Sequence, residues 1–585
     1  MKGKVKVAIV TLVILLVGTG AFLWKMNDIS KQMQEKETAK QKEESDLLVN
    51  QKGKAIDTVK QVDIIPLYLS GDKKNVVTTH YNNVSEIYSA EKSAQAEKNL
   101  TDIKKNRSFP FDDPLWAYNP YGTNRNAMYV YFTTGGKCYC RYTISVEDEN
   151  IPDFTRTAVA KTSGNVTKEH EYQIMGLVAG KTNYITMKLY NANDELSDVH
   201  TFSVTIPESA TKSPNMLTTL NGRSKETISN GLYVVFSNNT NKKTKDTPIL
   251  LYDNSGVLRG EIPTNGYSGR KVEQIYDTIV YASSKKTISQ VNALGQVTKT
   301  FSTGDYRQAG EFAYDGYGNL YIIAEKDQKK VTPKSKVLKL ELESGSTKEV
   351  LDMDTLLKQV YQKKAKKAGR QNVDWVGLNS VQVTGTNKLL LSCKNLSSII
   401  KVSNVGSLLP KINYIIADKK IYKPYKSLAK KVLAKSSGDD SSSPEPEETP
   451  AINNILKKKV TPEPFESQYG QEAILYRDKK TEGQYELTVL NANTGNGAKN
   501  NGESYYYRYL VDETAKTYQL KGKLPLDQTK KDGNICKQDN TLVYCSSDNS
   551  YFAESDINGK LIKQFNVTSR PYRVYKMNFK KFWFY

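Results

Sequence analysis

Histidine is the residue that this 585-residue chain most clearly lacks. It has only three, His80, His170 and His200, so residues 201–585 contain no imidazole. Histidine is the usual general base and a common metal ligand near neutral pH. Residues 201–585 therefore cannot use a histidine as nucleophile, base or metal ligand.

Cysteine is also scarce, and no spacing of the five cysteines is typical of a zinc or haem site. The sequence therefore predicts no metal and no cofactor. Cys536 and Cys545 flank a predicted turn and could form a cross-strand disulfide or remain two buried thiols. Cys138 and Cys140 alternate on one predicted strand, so they face the same side and are poorly placed to bond each other.

The formal net charge is +21, with dense lysine runs at 363–367, 419–435 and 457–459. Dispersed lysines are most often solvated surface. A functional interpretation is contact with anionic lipid head groups or an anionic cell-wall polymer outside the cell. The predicted export of the chain argues against nucleic acid as a partner.

The N-terminus predicts a membrane anchor. Lys2, Lys4 and Lys6 precede an uncharged, mostly apolar run at 7–24, and Lys25 follows it. About 20 apolar residues cross a bilayer as a helix, and the basic flank stays inside. We expect a cytoplasmic tail at 1–6, a single transmembrane helix at 7–24 and an extracytoplasmic remainder. A cleaved signal peptide is the alternative.

The rest of the chain is predicted to be all-β. Residues 25–105 are rich in Lys, Glu and Gln, which predicts a charged stalk or linker. Residues 106–210 alternate like the strands of a β-sandwich. From 211 to 585 a strand, an Asn/Asp-Gly turn and a second strand recur, as in 251–257, 291–297, 314–320 and 555–561, which favours a β-propeller. A lysine-rich helix is expected at 356–369, and a flexible insertion near 415–462 includes a Ser/Asp/Pro/Glu linker at 436–450.

Several motifs, in this order, resemble the bacterial arylsulfate sulfotransferase family. In the sandwich they are Asn-Pro-Tyr-Gly at 119–122, Ile-Met-Gly-Leu at 174–177 and Lys-Thr-Asn-Tyr at 181–184. In the propeller they are 374–380, 390–395, 399–402, 470–471 and 572–576. The resemblance covers about 110–585 and implies a small N-terminal β-sandwich followed by a six-bladed propeller.

The resemblance also implies an activity and a site. The family transfers a sulfuryl group from one phenol to another without a nucleotide donor. It is expected to use a histidine nucleophile, with further histidine and arginine side chains around the sulfate. Such donors are needed because charge develops on the sulfate oxygens and on the departing phenolate.

The sequence departs from the family pattern at each expected catalytic position. Residues 374–380 keep Asp374, Trp375 and Asn379 but have Gly377 where the family has histidine. Three further positions differ. Lys394 stands where the family has an arginine, and Gln471-Glu472 stands where the family has Gln-His with the nucleophilic histidine. Gly310-Glu311 stands where the family has an earlier His-Asp.

These losses predict a catalytically degenerate protein. Removing the nucleophile of a coupled catalytic set costs about 10⁶ in rate. Losing one charge-stabilising donor costs roughly a further 10²–10³. Substitute nucleophiles would be Cys393, next to Lys394, or Glu472, but a buried cysteine and a lysine-paired glutamate are the more common situations. Tyr469 and Tyr505–Tyr507 could stack on a phenol, although packing is favoured for most tyrosines.

We therefore predict a membrane-anchored, arylsulfotransferase-like binding or scaffold module. Its expected ligand is an aromatic sulfate or another small anion in the propeller mouth. The residues expected to bind it are Asp374, Trp375, Asn379, Lys394, Gln471 and Glu472. The alternatives are an active sulfotransferase with a nucleophile other than histidine and a structural envelope protein that docks on anionic polymer.

Overall fold

The structure is a computed structural model that describes most of the chain from Ile64 onward. The described residues are 64–68, 75–160, 163–237, 243, 245–328, 333–368, 373–437, 464–479, 481–499 and 501–585. The predicted tail, the predicted anchor at 7–24, the stalk up to 63 and the linker from 438 lie outside them. No helix within the described ranges is long and apolar enough to span a membrane.

The N-terminal domain is an eight-stranded sheet folded over itself. Its strands are β1 (Ile64–Tyr68), β2 (Asn75–Thr78), β3 (Leu115–Tyr118), β4 (Ala127–Ser145), β5 (Phe154–Thr157), β6 (Thr167–Met175), β7 (Thr182–Tyr190) and β8 (Leu196–Thr205). The first half of β4 pairs with β3 and β6, and its second half with β5 and β7. Trp116 and Phe132 of one layer join Ile185 and Phe202 of the other in one core. The predicted β-sandwich is confirmed.

Two helices lie between β2 and β3, at α1 (Val84–Ile87) and α2 (Ala90–Asn106). The Ser89 hydroxyl caps α2 by accepting from the Lys92 amide at 3.3 Å. Ala96, Leu100 and Ile103 form a buried stripe that packs on the sheet. The folded domain therefore begins within the segment 25–105 that the sequence assigns to a linker. The stripe is narrow and lies among charged residues, which explains why composition conceals it.

Two of the three histidines are packing residues of this domain, and His80 is exposed. The His170 ring stacks on Phe132 with ring centroids 4.5 Å apart. Burial lowers the pKa of His170 to about 4, so its imidazole is neutral. His200 lies edge-on to Phe111.

The rest of the chain forms six sheets arranged as propeller blades. It enters through β9 (Thr218–Asn221). Blade 1 contains β10 (Leu232–Ser237), β11 (Ile249–Tyr252) and β12 (Leu258–Ile262); blade 2 contains β13 (Val272–Ile275), β14 (Thr278–Ser284), β15 (Thr287–Asn292) and β16 (Val297–Ser302); blade 3 contains β17 (Tyr306–Tyr314), β18 (Asn319–Lys326), β19 (Lys336–Glu341) and β20 (Thr347–Asp352).

The other three blades follow the same plan. Blade 4 contains β21 (Leu378–Gly385), β22 (Lys388–Cys393), β23 (Ser398–Ser403) and β24 (Lys411–Ile416); blade 5 contains β25 (Ala434–Lys435), β26 (Ile474–Asp478), β27 (Gln484–Asn491), β28 (Glu503–Asp512) and β29 (Thr517–Asp527); blade 6 contains β30 (Asn534–Gln538), β31 (Thr541–Ser546), β32 (Tyr551–Asp556) and β33 (Leu561–Asn566). The six-bladed prediction is confirmed.

The recurring Asn/Asp-Gly turns have a common structure. Asp253, Asn292, Asp315 and Asp556 each accept, through Oδ1, the amide hydrogens of the residues two and four positions later. A glycine in the left-handed region, with φ of 84–90°, completes each turn. This local geometry is why the repeat can be recognised in the sequence.

The ring closes at two places. The last strand, β34 (Pro571–Met577), pairs with β10 in blade 1, and β9 pairs with β33 in blade 6. A fully buried ion pair joins these blades, since Lys576 Nζ lies 2.7 Å from Glu554 Oε2. Glu554 also accepts from the Ser229 amide and hydroxyl, the Tyr233 hydroxyl and the Thr541 hydroxyl, so its charge is fully hydrogen-bonded.

Short helices over blade 4 include the predicted lysine-rich helix. They are α3 (Met353–Leu356), α4 (Lys358–Ala368), α5 (Lys419–Tyr422) and α6 (Lys426–Ala429). The 3₁₀ turns are Ser163–Asn165 and Lys394–Leu396. Residues 415–437, the start of the predicted flexible insertion, are packed: Tyr422 is buried in the blade 4 core.

All five cysteines are free thiols. Cys536 lies opposite Val543, and Cys545 lies opposite Asn534, so the two are not a directly facing cross-strand pair. The sequence left open whether Cys536 and Cys545 form a disulfide or remain thiols, and in the structure both are free thiols.

Candidate active site on the propeller axis

One strand from each sheet faces the propeller axis: β13, β17, β21, β26, β30 and β34. These strands stand at the inner ends of their sheets, and neighbours such as β17 and β21 or β30 and β34 contact each other. Side chains on these strands and in the loops before them converge on the axis. Polar and charged groups dominate that region.

Arg573 on β34 is the centre of this cluster and is completely buried. Its Nη1 forms an ion pair with the Glu311 carboxylate on β17. Its Nη2 donates to the backbone oxygen of Glu472 at 2.6 Å and to that of Asn379 at 3.3 Å. Burial alone would lower the pKa of Arg573, but the Glu311 charge raises it well above its ordinary value. Arg573 thus connects four blades.

Both carboxylate oxygens of Glu311 have bonding partners. Ser380 Oγ donates to its Oε2 at 2.6 Å, and the Tyr575 hydroxyl donates to its Oε1. Glu311 therefore has one cationic and two neutral partners, which together compensate a carboxylate removed from water.

A second ion pair joins Lys394 to Glu472. Lys394 Nζ also donates to the Lys530 backbone oxygen at 2.9 Å. Asn379 Nδ2 donates to Glu472 Oε2 at 3.2 Å and to the Gln471 backbone oxygen at 2.9 Å. Burial raises the pKa of Glu472, and Lys394 opposes that shift. Asn379, Lys394, Gln471 and Glu472, which the sequence predicted as site residues, are therefore brought together.

Gly377 stands where the family pattern has histidine, and its backbone lies in the left-handed region, which residues other than glycine adopt at a cost. Its φ is +62°, and a Cβ added there would lie 2.7 Å from Asn395 Nδ2. The Asn395 amide donates to the Asp374 backbone oxygen at 2.6 Å, while Asp374 Oδ1 accepts from the Gly377 amide at 3.0 Å. Asp374 and Asn395 thus fill the space beside Gly377, and Asp374 acts as a turn-forming residue.

Trp375 was predicted to line the ligand pocket, but it points into blade 4. Its Nε1 donates to Asp354 Oδ1 at 2.7 Å, and its ring packs on Tyr361 at 5.6 Å between centroids. Gly310 packs its backbone on Ile323, since an added Cβ would lie 3.0 Å from that side chain. Of the Gly310-Glu311 pair, only Glu311 belongs to the axial cluster.

The sequence identified the axial role of neither Arg573 nor Tyr575. The available signal was that they stand two positions apart on one strand, which places both side chains on one face. An arginine in such a position is buried with a partner or exposed at an edge, and only the fold distinguishes these outcomes.

The substitute nucleophiles are also poorly placed. Cys393 is fully buried, and burial raises its pKa, so the reactive thiolate is disfavoured. The Tyr469 hydroxyl donates to Asp418 Oδ2 at 2.5 Å. Tyr505 and Tyr507 pack in the blade 5 core. Within the described ranges, no group of three or more His, Cys, Asp or Glu side chains is arranged to hold a metal ion.

A shallow cavity of about 340 Å³ opens beside the Lys394–Glu472 pair. Its lining residues are Lys364, Lys394, Asn395, Leu396, Ser397, Ile421, Gly470, Thr494, Gly495 and Asn496. We call it the mouth cavity. It offers two lysines at a volume sufficient for a small ligand.

Comparison with known proteins identifies both domains. The Arylsulfotransferase (ASST) family profile matches residues 217–563, and the Arylsulfotransferase Ig-like domain profile matches residues 115–207. No curated protein sequence matches the chain significantly.

Several solved structures are similar only at low scores. A protein from Lactobacillus plantarum is 11% identical over 75% of this chain and 99% of its own, with a TM-score of 0.32. Virginiamycin B lyase from Staphylococcus aureus is 9% identical over 67% of this chain and 93% of its own, with a TM-score of 0.29. The family profile spans more than half of the chain, including all the axial positions up to Glu472, and this protein therefore belongs to the arylsulfotransferase family.

Proposed function

We propose that this protein is a member of the family that does not transfer sulfuryl groups and acts instead as a binding module. The observation that carries the proposal is that two cations of the axial cluster are neutralised from within the chain. Arg573 is paired with Glu311, and Lys394 with Glu472.

The physical reason is charge. A sulfate ester needs donors that are free to meet the negative charge developing on its oxygens. Here Nη1 of Arg573 already contacts a carboxylate, and Nη2 donates to two backbone oxygens. An entering sulfate would also meet the negative charges of Glu311 and Glu472 at short range in a poorly hydrated space. The charge of the Arg573 guanidinium is therefore already balanced by Glu311.

The mouth cavity is the remaining place for a small ligand. Lys364 and Lys394 make it basic, and the turns at Ser397 and Gly470 border it. We propose that it holds an aromatic sulfate or a similar small anion without reaction. The Lys394 ammonium would then be shared between Glu472 and the ligand.

An exchange assay tests the absence of catalysis. We expect the purified full chain, given 4-nitrophenyl sulfate and phenol, to release 4-nitrophenol no faster than buffer does. Loss of the nucleophile alone accounts for about 10⁶ in rate. Phenol-dependent turnover that is abolished by Glu472→Gln or by Cys393→Ser would contradict the proposal and favour a nucleophile other than histidine.

The same protein tests binding in the mouth cavity. Lys364→Gln should weaken binding of 4-nitrophenyl sulfate, measured by equilibrium dialysis, about tenfold if one charge-assisted contact is lost. Lys348→Gln on blade 3, which also removes an exposed lysine but one that does not line the cavity, should leave binding unchanged.

We also propose that residues 7–24 anchor the protein in the cell membrane with the propeller outside. The support is the uncharged run between Lys6 and Lys25. Alkaline carbonate washing should leave the full chain in the membrane fraction and release a chain that starts at residue 26. Release of both would exclude an anchor.

A further inference from the structure

Helices α4, α5 and α6 carry many lysines and no carboxylate. Their sequences are KQVYQKKAKKA, KKIY and KSLA. From Lys419 to Ser437 the chain has seven lysines and neither Asp nor Glu. A surface with many positive charges and no negative charges among them creates a positive electrostatic potential that attracts anions.

Packing fixes which side of these helices faces solvent. Val360 and Tyr422 are buried in the blade 4 core, and Ile421, Tyr425 and Leu428 pack against it. The exposed lysines are Lys358, Lys363, Lys364, Lys419, Lys420, Lys423, Lys426 and Lys430. We call this set the lysine face.

The lysine face is one surface rather than two separate runs. Lys363 Nζ of α4 lies 5.7 Å from the centre of the Tyr425 ring, just before α6. Lys364 of α4 and Ile421 of α5 both line the mouth cavity. The positive surface therefore continues from α6 across α4 to Lys394.

Among the described residues, two carboxylates near this surface have partners of their own. Asp418 accepts from the Tyr469 hydroxyl and, at 2.8 Å, from the Lys420 amide, where it caps α5. Asp354 is paired with Lys336 and with the Trp375 indole. Asp418 also interacts electrostatically with Lys420 and therefore offsets part of the positive charge of the face.

The chemistry of the surface favours phosphate without bases. Ammonium groups bind phosphate as point charges. Proteins that bind single-stranded nucleic acid add exposed aromatic rings on which bases stack. Here Tyr422 is buried, Tyr361 packs on Trp375, and Tyr425 lies beneath Lys363, so none of the tyrosines of these helices offers an open platform.

We propose that the lysine face docks a linear phosphate polymer that carries no bases. The polymer would run across α4, α5 and α6 and pass the mouth cavity at Lys364. This inference deepens the proposed function, because it names the partner that would hold the binding module in place.

Polyphosphate of about 50 residues is the probe, with the full chain in detergent. We expect binding measured by fluorescence anisotropy to weaken steeply between about 50 and about 300 mM NaCl, because binding releases counterions from the polymer. Changing Lys419, Lys420, Lys423 and Lys426 together to Gln removes four exposed charges. The fourfold variant should show a slope of log affinity against log salt concentration that is less steep by about 3, and its binding should be at least about tenfold weaker.

The matched control changes Lys212, Lys225, Lys348 and Lys560 to Gln. These lysines are exposed, lie away from the three helices and give the same change in net charge. The control should bind like the unaltered chain. An equal loss in both variants would show that net charge alone drives binding and would overturn the proposal.

Two other results would also overturn it. One is no polyphosphate binding at low salt, and the other is tighter binding of single-stranded DNA of equal charge, which would assign the face to nucleic acid. Sulfuryl transfer by the chain would refute the proposed function but leave docking intact. The two failures are therefore distinguishable.

Discussion

Replacing Arg573 by methionine should destabilise the protein by about 3–5 kcal/mol, because it leaves the buried Glu311 carboxylate without its cation. Arg573 is completely buried and connects four blades through Glu311 and two backbone oxygens. A loss of this size is a large part of the stability of a typical domain. Chemical denaturation of the full chain, followed by tyrosine and tryptophan fluorescence, measures it.

The design of the control separates the ion pair from simple packing. In the double variant Arg573→Met, Glu311→Leu, neither charge remains, so the loss should fall short of the sum of the single losses by about 2 kcal/mol. Arg223→Met, at an exposed position, should change stability by less than about 0.5 kcal/mol. Additive losses in the double variant would mean that the pair does not act as a unit.

A histidine at position 377 should destabilise the site rather than restore catalysis. Gly377 has φ +62°, and a Cβ there would lie 2.7 Å from Asn395 Nδ2. A left-handed backbone costs a side chain roughly 1–2 kcal/mol, and overpacking adds about 1–3 kcal/mol. We expect Gly377→His to lose about 3 kcal/mol in denaturation experiments. Gly377→His with Glu472→His should still not release 4-nitrophenol from its sulfate.

A second glycine isolates the steric part of this effect. Gly304 has φ +61° and nothing within 4 Å of an added Cβ. Gly304→Ala should therefore show the backbone cost alone, while Gly377→Ala should show the backbone cost and the clash with Asn395. Equal losses at the two positions, or a stable and active Gly377→His variant, would contradict this account of the site.

The propeller could be predicted because its blades are specified locally. Each hairpin turn depends on an Asp or Asn side chain and a glycine within a few residues, as at Asp253 and Gly256. The closure of the ring by β34 and β9 pairs strands that are far apart in the sequence, so no local pattern predicts it.

The site residues that the sequence predicted are those at or beside the expected catalytic positions of the family. Asn379, Lys394, Gln471 and Glu472 do meet, but the ion pair between Lys394 and Glu472 spans 78 positions, and no local pattern encodes it. Trp375 was assigned to the pocket because it belongs to the motif that is retained around Gly377. The left-handed backbone at Gly377 and the bond from Trp375 to Asp354 turn its ring into the blade instead.

The closure of the ring by β34 has a consequence for how the protein is made. This strand leaves the ribosome after the other five inner strands, and it carries Arg573. Until β34 is present, the Glu311 carboxylate and the Glu472 backbone oxygen therefore lack their shared guanidinium partner and are open to solvent or to a chaperone. The nascent chain can complete its last and most interior electrostatic contact only when translation is nearly over, so a ribosome that stalls before codon 573 should leave an open, protease-sensitive ring.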